Sequence, residues 1–180
     1  MGKPDLIHQS TGSLRIMSKS LVLIVMGSES DLPVMEEAAK VLKEFGVSHE
    51  MRISSAHRAP KKTGLMAAEA RDRGVRVIIA GAGMAAHLAG VVAAETTLPV
   101  IGVPMPGGAL NGVDALYSTV QMPGGIPVAT MAIGKAGAKN AGLFAVQILA
   151  LADNELVGKL AVFRQSMADE VEEKDARLLT

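Results

Sequence analysis

The chain has 180 residues, no cysteine, and eighteen basic residues balanced by eighteen acidic ones. The lack of cysteine excludes disulfides, thiolate metal sites and cysteine nucleophiles and suits a reducing cytoplasm, and the charge balance leaves no global field to draw in nucleic acid or an anionic membrane. The length fits one domain, able to bury roughly 70% of the surface its unfolded form exposes, so any anionic ligand must be held by a local site. Apolar residues make up 49% of the chain, yet it has one Tyr, three Phe and no Trp. Its core is therefore one of Val, Ile, Leu, Ala and Met, with 19 glycines allowing backbones to approach closely. Such small side chains bury little area each, which makes further burial between subunits an expectation.

Met1 to Ser20 carries polar and charged residues throughout and no continuous apolar stretch. It reads as a disordered leader rather than a signal peptide, with Met17 as an alternative start. Leu21 to Met26 is an unbroken apolar run rich in branched residues, the pattern of a strand buried on both faces. Asp31 is the expected N-cap of the next helix, with Pro33 in its first turn, Leu32, Met35, Ala39 and Leu42 at helical spacing, and Gly46 near its stop. A weaker strand is expected over 48–53 and a helix from about Pro60. Val75 to Ala80 reads as a third strand, leading through Gly81 and Gly83 into an alanine-rich helix. Leu98 to Val103 reads as a fourth strand, followed by a proline- and glycine-rich loop, and Pro127 to Ala132 as a fifth. The apolar run from Ile78 to Ala94 is broken by three glycines and His87; it reads as strand, loop and helix, where a membrane span needs about 20 mostly apolar residues. The last element is a helix from Asn154 to about Leu178. Leu156, Leu160, Phe163, Met167 and Val171 form its apolar stripe, which would pack on the domain or on a neighbour. Strands and helices that alternate in this way imply βαβ units and a parallel sheet covered by helices on both faces, an α/β fold.

In such sheets ligands bind beyond the carboxyl ends of the strands, and three unusual loops fall there. Residues 27–31, GSESD, join a buried strand to a helix start, where backbone N–H groups, the helix dipole and serine hydroxyls favour an anion and Asp31 suits ribose hydroxyls. An ordinary helix cap built of turn residues is the alternative. Residues 54–58, SSAHR, place an arginine suited to phosphate beside a histidine able to take and give protons near neutrality; a structural or merely exposed histidine is the alternative. Gly81 to Leu88 can be aligned with a dinucleotide fingerprint, but it follows the third strand, and the acid belonging about 20 residues on is not followed by the expected context. Its small residues instead let backbone amides approach a planar ligand, and His87, in apolar company, could equally be a satisfied core side chain. The four histidines lack metal-ligand spacing, and neither a phosphate-binding Walker sequence nor a nucleophile elbow is present.

Several segments in order and at close spacing give the chain a wider resemblance: MGSESDLPVM from Met26, SSAHRAP from Ser54, IIAGAGMAAHLAG from Ile78, LPVIGVP from Leu98, and LNGVDALYSTVQMPGGIPVATMAIGKAGAKNAG from Leu110. Over about residues 21–152 it closely resembles the N5-carboxyaminoimidazole ribonucleotide mutases of purine biosynthesis, the PurE family. The resemblance implies a three-layer sandwich with a flavodoxin-like sheet, a catalytic domain over 21–152 with a C-terminal helix over 153–180, and assembly as a homo-octamer in the cytoplasm. It implies an isomerase without cofactor or metal, working on a carbamate made by a separate ATP-dependent synthetase. His57 matches the general acid/base, and Ser28, Asp31 and Arg58 match the ribonucleotide-binding residues, joined by Ser30 and Ser55 from the same loops. His87, with Ala82, Gly83 and Leu88, matches the loop lining the base and carboxylate. Met84 stands where glycine is usual, Ala89 where proline is usual, and Met105 to Gly108 is atypical. A carboxylase using free carbon dioxide on the same fold is the main rival, and a non-catalytic nucleotide-binding regulator is a rival of another class.

Overall fold

The computed structural model describes residues 20–179, so apart from Ser20 the expected leader lies outside the described residues. The elements run β1 (Val22–Met26), a 3-10 turn (Glu29–Asp31), α1 (Leu32–Glu44), β2 (His49–Ile53), α2 (Pro60–Ala68), β3 (Val77–Ala82), α3 (Leu88–Glu95), β4 (Val100–Pro104), α4 (Val113–Val120), β5 (Ala129–Thr130), α5 (Lys135–Ala150) and α6 (Asn154–Ala176). The strands form one parallel sheet in the order β2-β1-β3-β4-β5, which is the flavodoxin-like order.

All five residues of β1 are buried, which requires cover on both sides of the sheet. The pleat sends alternate residues to opposite faces. Val22, Ile24 and Met26 join a core with α1, α5 and the start of α6, while Leu23 and Val25 join one with α2 and α3. One row crosses the whole sheet through Met51, Ile24, Ile79, Ile101 and Ala129. Each fully buried branched side chain in such a row stabilises the fold by about 1.5–3 kcal/mol. α4 sits on the α3 side, where the bare backbone of Gly102 faces Thr119 and Ala89.

The expected helices form, with two additions. α4 and α5 lie in stretches where no helix is expected from the sequence. α4 has Val113, Leu116, Tyr117 and Val120 at helical spacing, but it is only eight residues long and is enclosed by two stretches rich in Pro and Gly. α5 buries mainly Gly and Ala in its first half, Gly137, Ala138, Ala141 and Gly142, and that is why it packs closely there. A Cβ on Gly142 would come within 2.9 Å of the Ala38 carbonyl oxygen of α1. The strand ends also shift. Val75 is held by a hydrogen bond from its N–H to Ala70 O at 3.0 Å, so β3 starts at Val77 and takes in Gly81 and Ala82. β4 starts at Val100, and β5 shrinks to two residues.

The apolar stripe of α6 meets the domain only along its first half. Leu156 is buried, Phe163 packs edge-on against Phe45 with ring centroids 5.7 Å apart, and Lys159 Nζ donates to Phe45 O at 3.1 Å. Met167 and Val171 are 49% and 65% exposed. Among the described residues no helix is long and apolar enough to cross a membrane.

Candidate functional site

β1 and β3 are neighbours, but the chain leaves β1 toward β2 on one side and reaches β3 on the other. At such a switch point the loops beyond the strands diverge and leave a crevice. Three hydrogen bonds set the loops' starting points. Ser54 N–H donates to Met26 O at 2.9 Å, Gly27 N–H to Gly81 O at 3.2 Å, and Met105 N–H to Ala82 O at 2.9 Å. Together with the loop after β4 they enclose a cleft of about 520 Å³.

All ten residues singled out from the sequence line this cleft: Ser28, Ser30 and Asp31 from the first loop, Ser55, His57 and Arg58 from the second, and Ala82, Gly83, His87 and Leu88 from the third. His57 and His87 are exposed to it. His57 Nε2 lies 2.9 Å from His87 Nδ1, and the rings meet edge to face with centroids 5.0 Å apart. The contact is a hydrogen bond, in which one of these two nitrogens donates and the other accepts, as the ring tautomers decide. His87 is therefore not the satisfied core histidine its apolar neighbours allowed. Arg58 spans two loops: Nη2 donates to Gly27 O at 3.1 Å, and Nε to Ser55 Oγ at 3.4 Å. Ser54 turns the other way, its hydroxyl buried against Thr63 Oγ1 at 2.8 Å, and anchors the start of α2.

Asp31 does not cap α1 as expected. Its carboxylate turns back to accept the Ser28 N–H at 3.1 Å, and Ser28 Oγ accepts the Ser30 N–H in return, a reciprocal cap on the short 3-10 turn. Burial outweighs these hydrogen bonds and pushes the Asp31 carboxyl above its ordinary range. A raised acid binds its proton more readily in the folded state. Its stabilising contribution is full below the unfolded value and is lost as pH rises through the folded one. Asp31→Asn should therefore leave the melting temperature at pH 7 unchanged or higher. Any gain over the parent should shrink as pH falls through the raised value. Thermal unfolding at both pH values reads this, and a marked fall at pH 7 would contradict it.

Met84 has φ of +56°, the left-handed region that glycine enters without penalty. This gives a physical reason for glycine at the corresponding place in the resembling family: the turn keeps the glycine shape although the side chain has changed. Met105 to Gly108, which are not among the residues expected at the site, form a wall of the cleft. Their two glycines, both at positive φ, were the available signal. A larger hollow of about 840 Å³, bordered by Arg71, Thr97, Ile126 and Phe144, opens where the strands begin. It is at the end of the sheet that strand-end binding does not use, so the smaller cleft is the candidate site.

Residues 21–170 match the family model described as AIR carboxylase. The chain is 56% identical over 160 residues to the N5-carboxyaminoimidazole ribonucleotide mutase of Pyrococcus horikoshii, covering 89% of each chain. It is 54% identical over 159 residues to the mutase of Bacillus subtilis, covering 88% of this chain and 98% of that one. A crystal structure of PurE from Treponema denticola superposes with a TM-score of 0.79 at 34% identity, over 87% of this chain and 97% of the other.

Proposed function

The chain belongs to the AIR carboxylase family, and on that premise we propose that it converts N5-carboxyaminoimidazole ribonucleotide to 4-carboxy-5-aminoimidazole ribonucleotide in purine biosynthesis. The observation that carries the reading is the exposed His57–His87 pair, 2.9 Å apart, in one cleft with an arginine and the serine-rich helix start. That combination offers an anion grip and a proton-transfer group within a single small volume.

The chemistry balances with these groups alone. The carbamate N–C bond breaks, carbon dioxide separates, and the electron pair returns to the exocyclic nitrogen, which gains a proton. The electron-rich ring carbon 4 attacks the trapped carbon dioxide and forms a C–C bond. His57 removes the proton from that carbon, restoring the aromatic ring, and one proton is gained for each one lost. The step needs carbon dioxide kept beside the ring and water kept out, and holding reactants together in this way can offset several kcal/mol of barrier. Ser28, Ser30, Asp31, Ser55 and Arg58 would hold the ribose phosphate, and His87, Ala82, Gly83 and Leu88 would face the base.

The test is a spectrophotometric assay of the purified protein with the N5-carbamate, run beside aminoimidazole ribonucleotide plus bicarbonate. Rapid turnover of the carbamate alone is expected. Equal turnover with modest bicarbonate would instead establish the carboxylase, and binding without turnover would establish a regulator. Arg58→Ala is expected to weaken substrate binding by about 1.5–3 kcal/mol, the worth of one charge-assisted hydrogen bond, with a smaller effect on kcat. An unchanged KM would remove Arg58 from the grip.

The reading extends to an assembly of several copies in the cytoplasm, fed by a synthetase that makes the carbamate. Exposed apolar side chains support the assembly: Val113, Tyr117 and Val120 follow one another along α4, and Met167 and Val171 along α6.

A further inference from the structure

We infer that Ser118, on α4 behind the cleft, is a positioning residue of the reaction, its hydroxyl holding the 84–87 turn in the shape that brings His87 to His57. The inference rests on the reading of His57 as the proton-transfer group.

Ser118 Oγ accepts the Ala86 N–H at 3.1 Å. Its own proton faces the Asp114 carbonyl one helical turn back at 2.6 Å, with Met84 O at 3.3 Å and Ala115 O at 3.4 Å as longer alternatives. A hydroxyl has one proton and two lone pairs. With the proton given to the helix, the lone pairs are left for the loop, so Ser118 acts mainly as an oriented acceptor. The turn it holds contains Met84 at φ +56°, a conformation that side chains other than glycine adopt only where the surroundings impose it. On the near side Met105 N–H is bonded to Ala82 O, and on the far side α3 opens with Val91 N–H donating to His87 O at 2.9 Å. The Ser118 contact lies between those two, one residue before His87.

The anchor is itself well fixed. The neighbouring Thr119 is buried, donates to Ala115 O at 2.7 Å, and offers its carbonyl to Thr130 Oγ1 at 3.2 Å. Ala86 is buried too, so loss of the hydroxyl removes the partner of an N–H shielded from water. Ser118 does not line the cleft. A change there alters no ligand-lining side chain, and any effect on turnover must pass through the 84–87 turn.

The experiment compares Ser118→Ala, Ser118→Thr and the double variant Ser118→Ala with Met84→Gly. It reads amide hydrogen exchange over 83–88 and, separately, kcat and KM for the N5-carbamate. Ser118→Ala is expected to speed exchange at Ala86 and His87 and to lower kcat by about 10- to 100-fold, the scale set by small misplacements of catalytic groups. KM should stay within about threefold, because the phosphate grip lies on other loops. Threonine, which keeps the hydroxyl, should restore both readouts. Glycine at 84, which adopts the left-handed turn unaided, should recover much of kcat without the clamp. If the alanine variant does not fold, Ser118→Cys, close in shape but a weak acceptor, serves the same comparison. Unchanged exchange over 83–88 in a folded alanine or cysteine variant overturns the inference. So does a threonine variant that folds yet fails to restore exchange. A parent protein that does not turn over the carbamate overturns the reaction reading alone, because the exchange measurement does not depend on activity.

Discussion

His57→Asn lowers turnover of the N5-carbamate by about 10²- to 10⁴-fold, the range carried by a positioned acid or base, while leaving ribonucleotide binding nearly intact. An asparagine amide fills much of the imidazole's place and still makes hydrogen bonds, but it cannot take the proton from ring carbon 4. The residues proposed to grip ribose and phosphate sit on the 27–31 loop and on Arg58, whose guanidinium is held by Gly27 O and Ser55 Oγ and does not depend on the His57 ring. Binding and chemistry should therefore separate cleanly. Single-turnover assays beside equilibrium titration with the product nucleotide would show the separation. Near-normal turnover would sink the assignment of His57, and an equal loss in both measurements would move it from proton transfer to binding.

How much of this site could be read in advance follows from the kind of signal each part carries. β1 was legible because a run of branched apolar residues has few other uses, and the 27–31 and 54–58 loops were legible because strand ends are where an α/β sheet gathers its chemistry. The partnership of His57 with His87 was not legible. Thirty residues separate them, and the β1–β3 pairing that brings their loops together is a property of the sheet order. The first half of α5 escaped because its information lies in what its side chains lack: Gly137, Ala138, Ala141 and Gly142 are buried for the sake of close backbone approach, and a search for large apolar residues at helical spacing passes over them. Ser118 was hidden for a third reason. A serine within a helix usually reads as neutral, and only the loop folded over it gives the hydroxyl a task. Asp31 shows the reverse error, since a residue type that commonly caps helices is here committed to the turn before the helix.

Gly137→Ala should be the most damaging small substitution in the fold, destabilising it by about 3 kcal/mol or more, at the upper end of overpacking effects. Gly137 lies in the first turn of α5, where the backbone of Ala132 folds back over the helix start. A Cβ there would collide with the Ala132 carbonyl oxygen and lie 2.6 Å from its carbonyl carbon. The obstacle is main chain, so no rotamer change relieves it, and either α5 or the segment before it must move. Neither moves cheaply. α5 is packed against α1, the sheet and α6, and Gly134, at the end of that segment, donates its N–H to Pro104 O at 2.9 Å, where β4 gives way to the wall of the cleft. Strain introduced at 137 should therefore reach the site as well as the core. Gly158 supplies the control. It lies within α6 with nothing inside 4 Å of where a Cβ would sit, so alanine there should stabilise by up to about 1 kcal/mol through helix propensity. Denaturant unfolding of the two variants should move in opposite directions. A Gly137→Ala protein as stable as its parent would mean that the close approach of Ala132 to α5 is not a feature of the native packing.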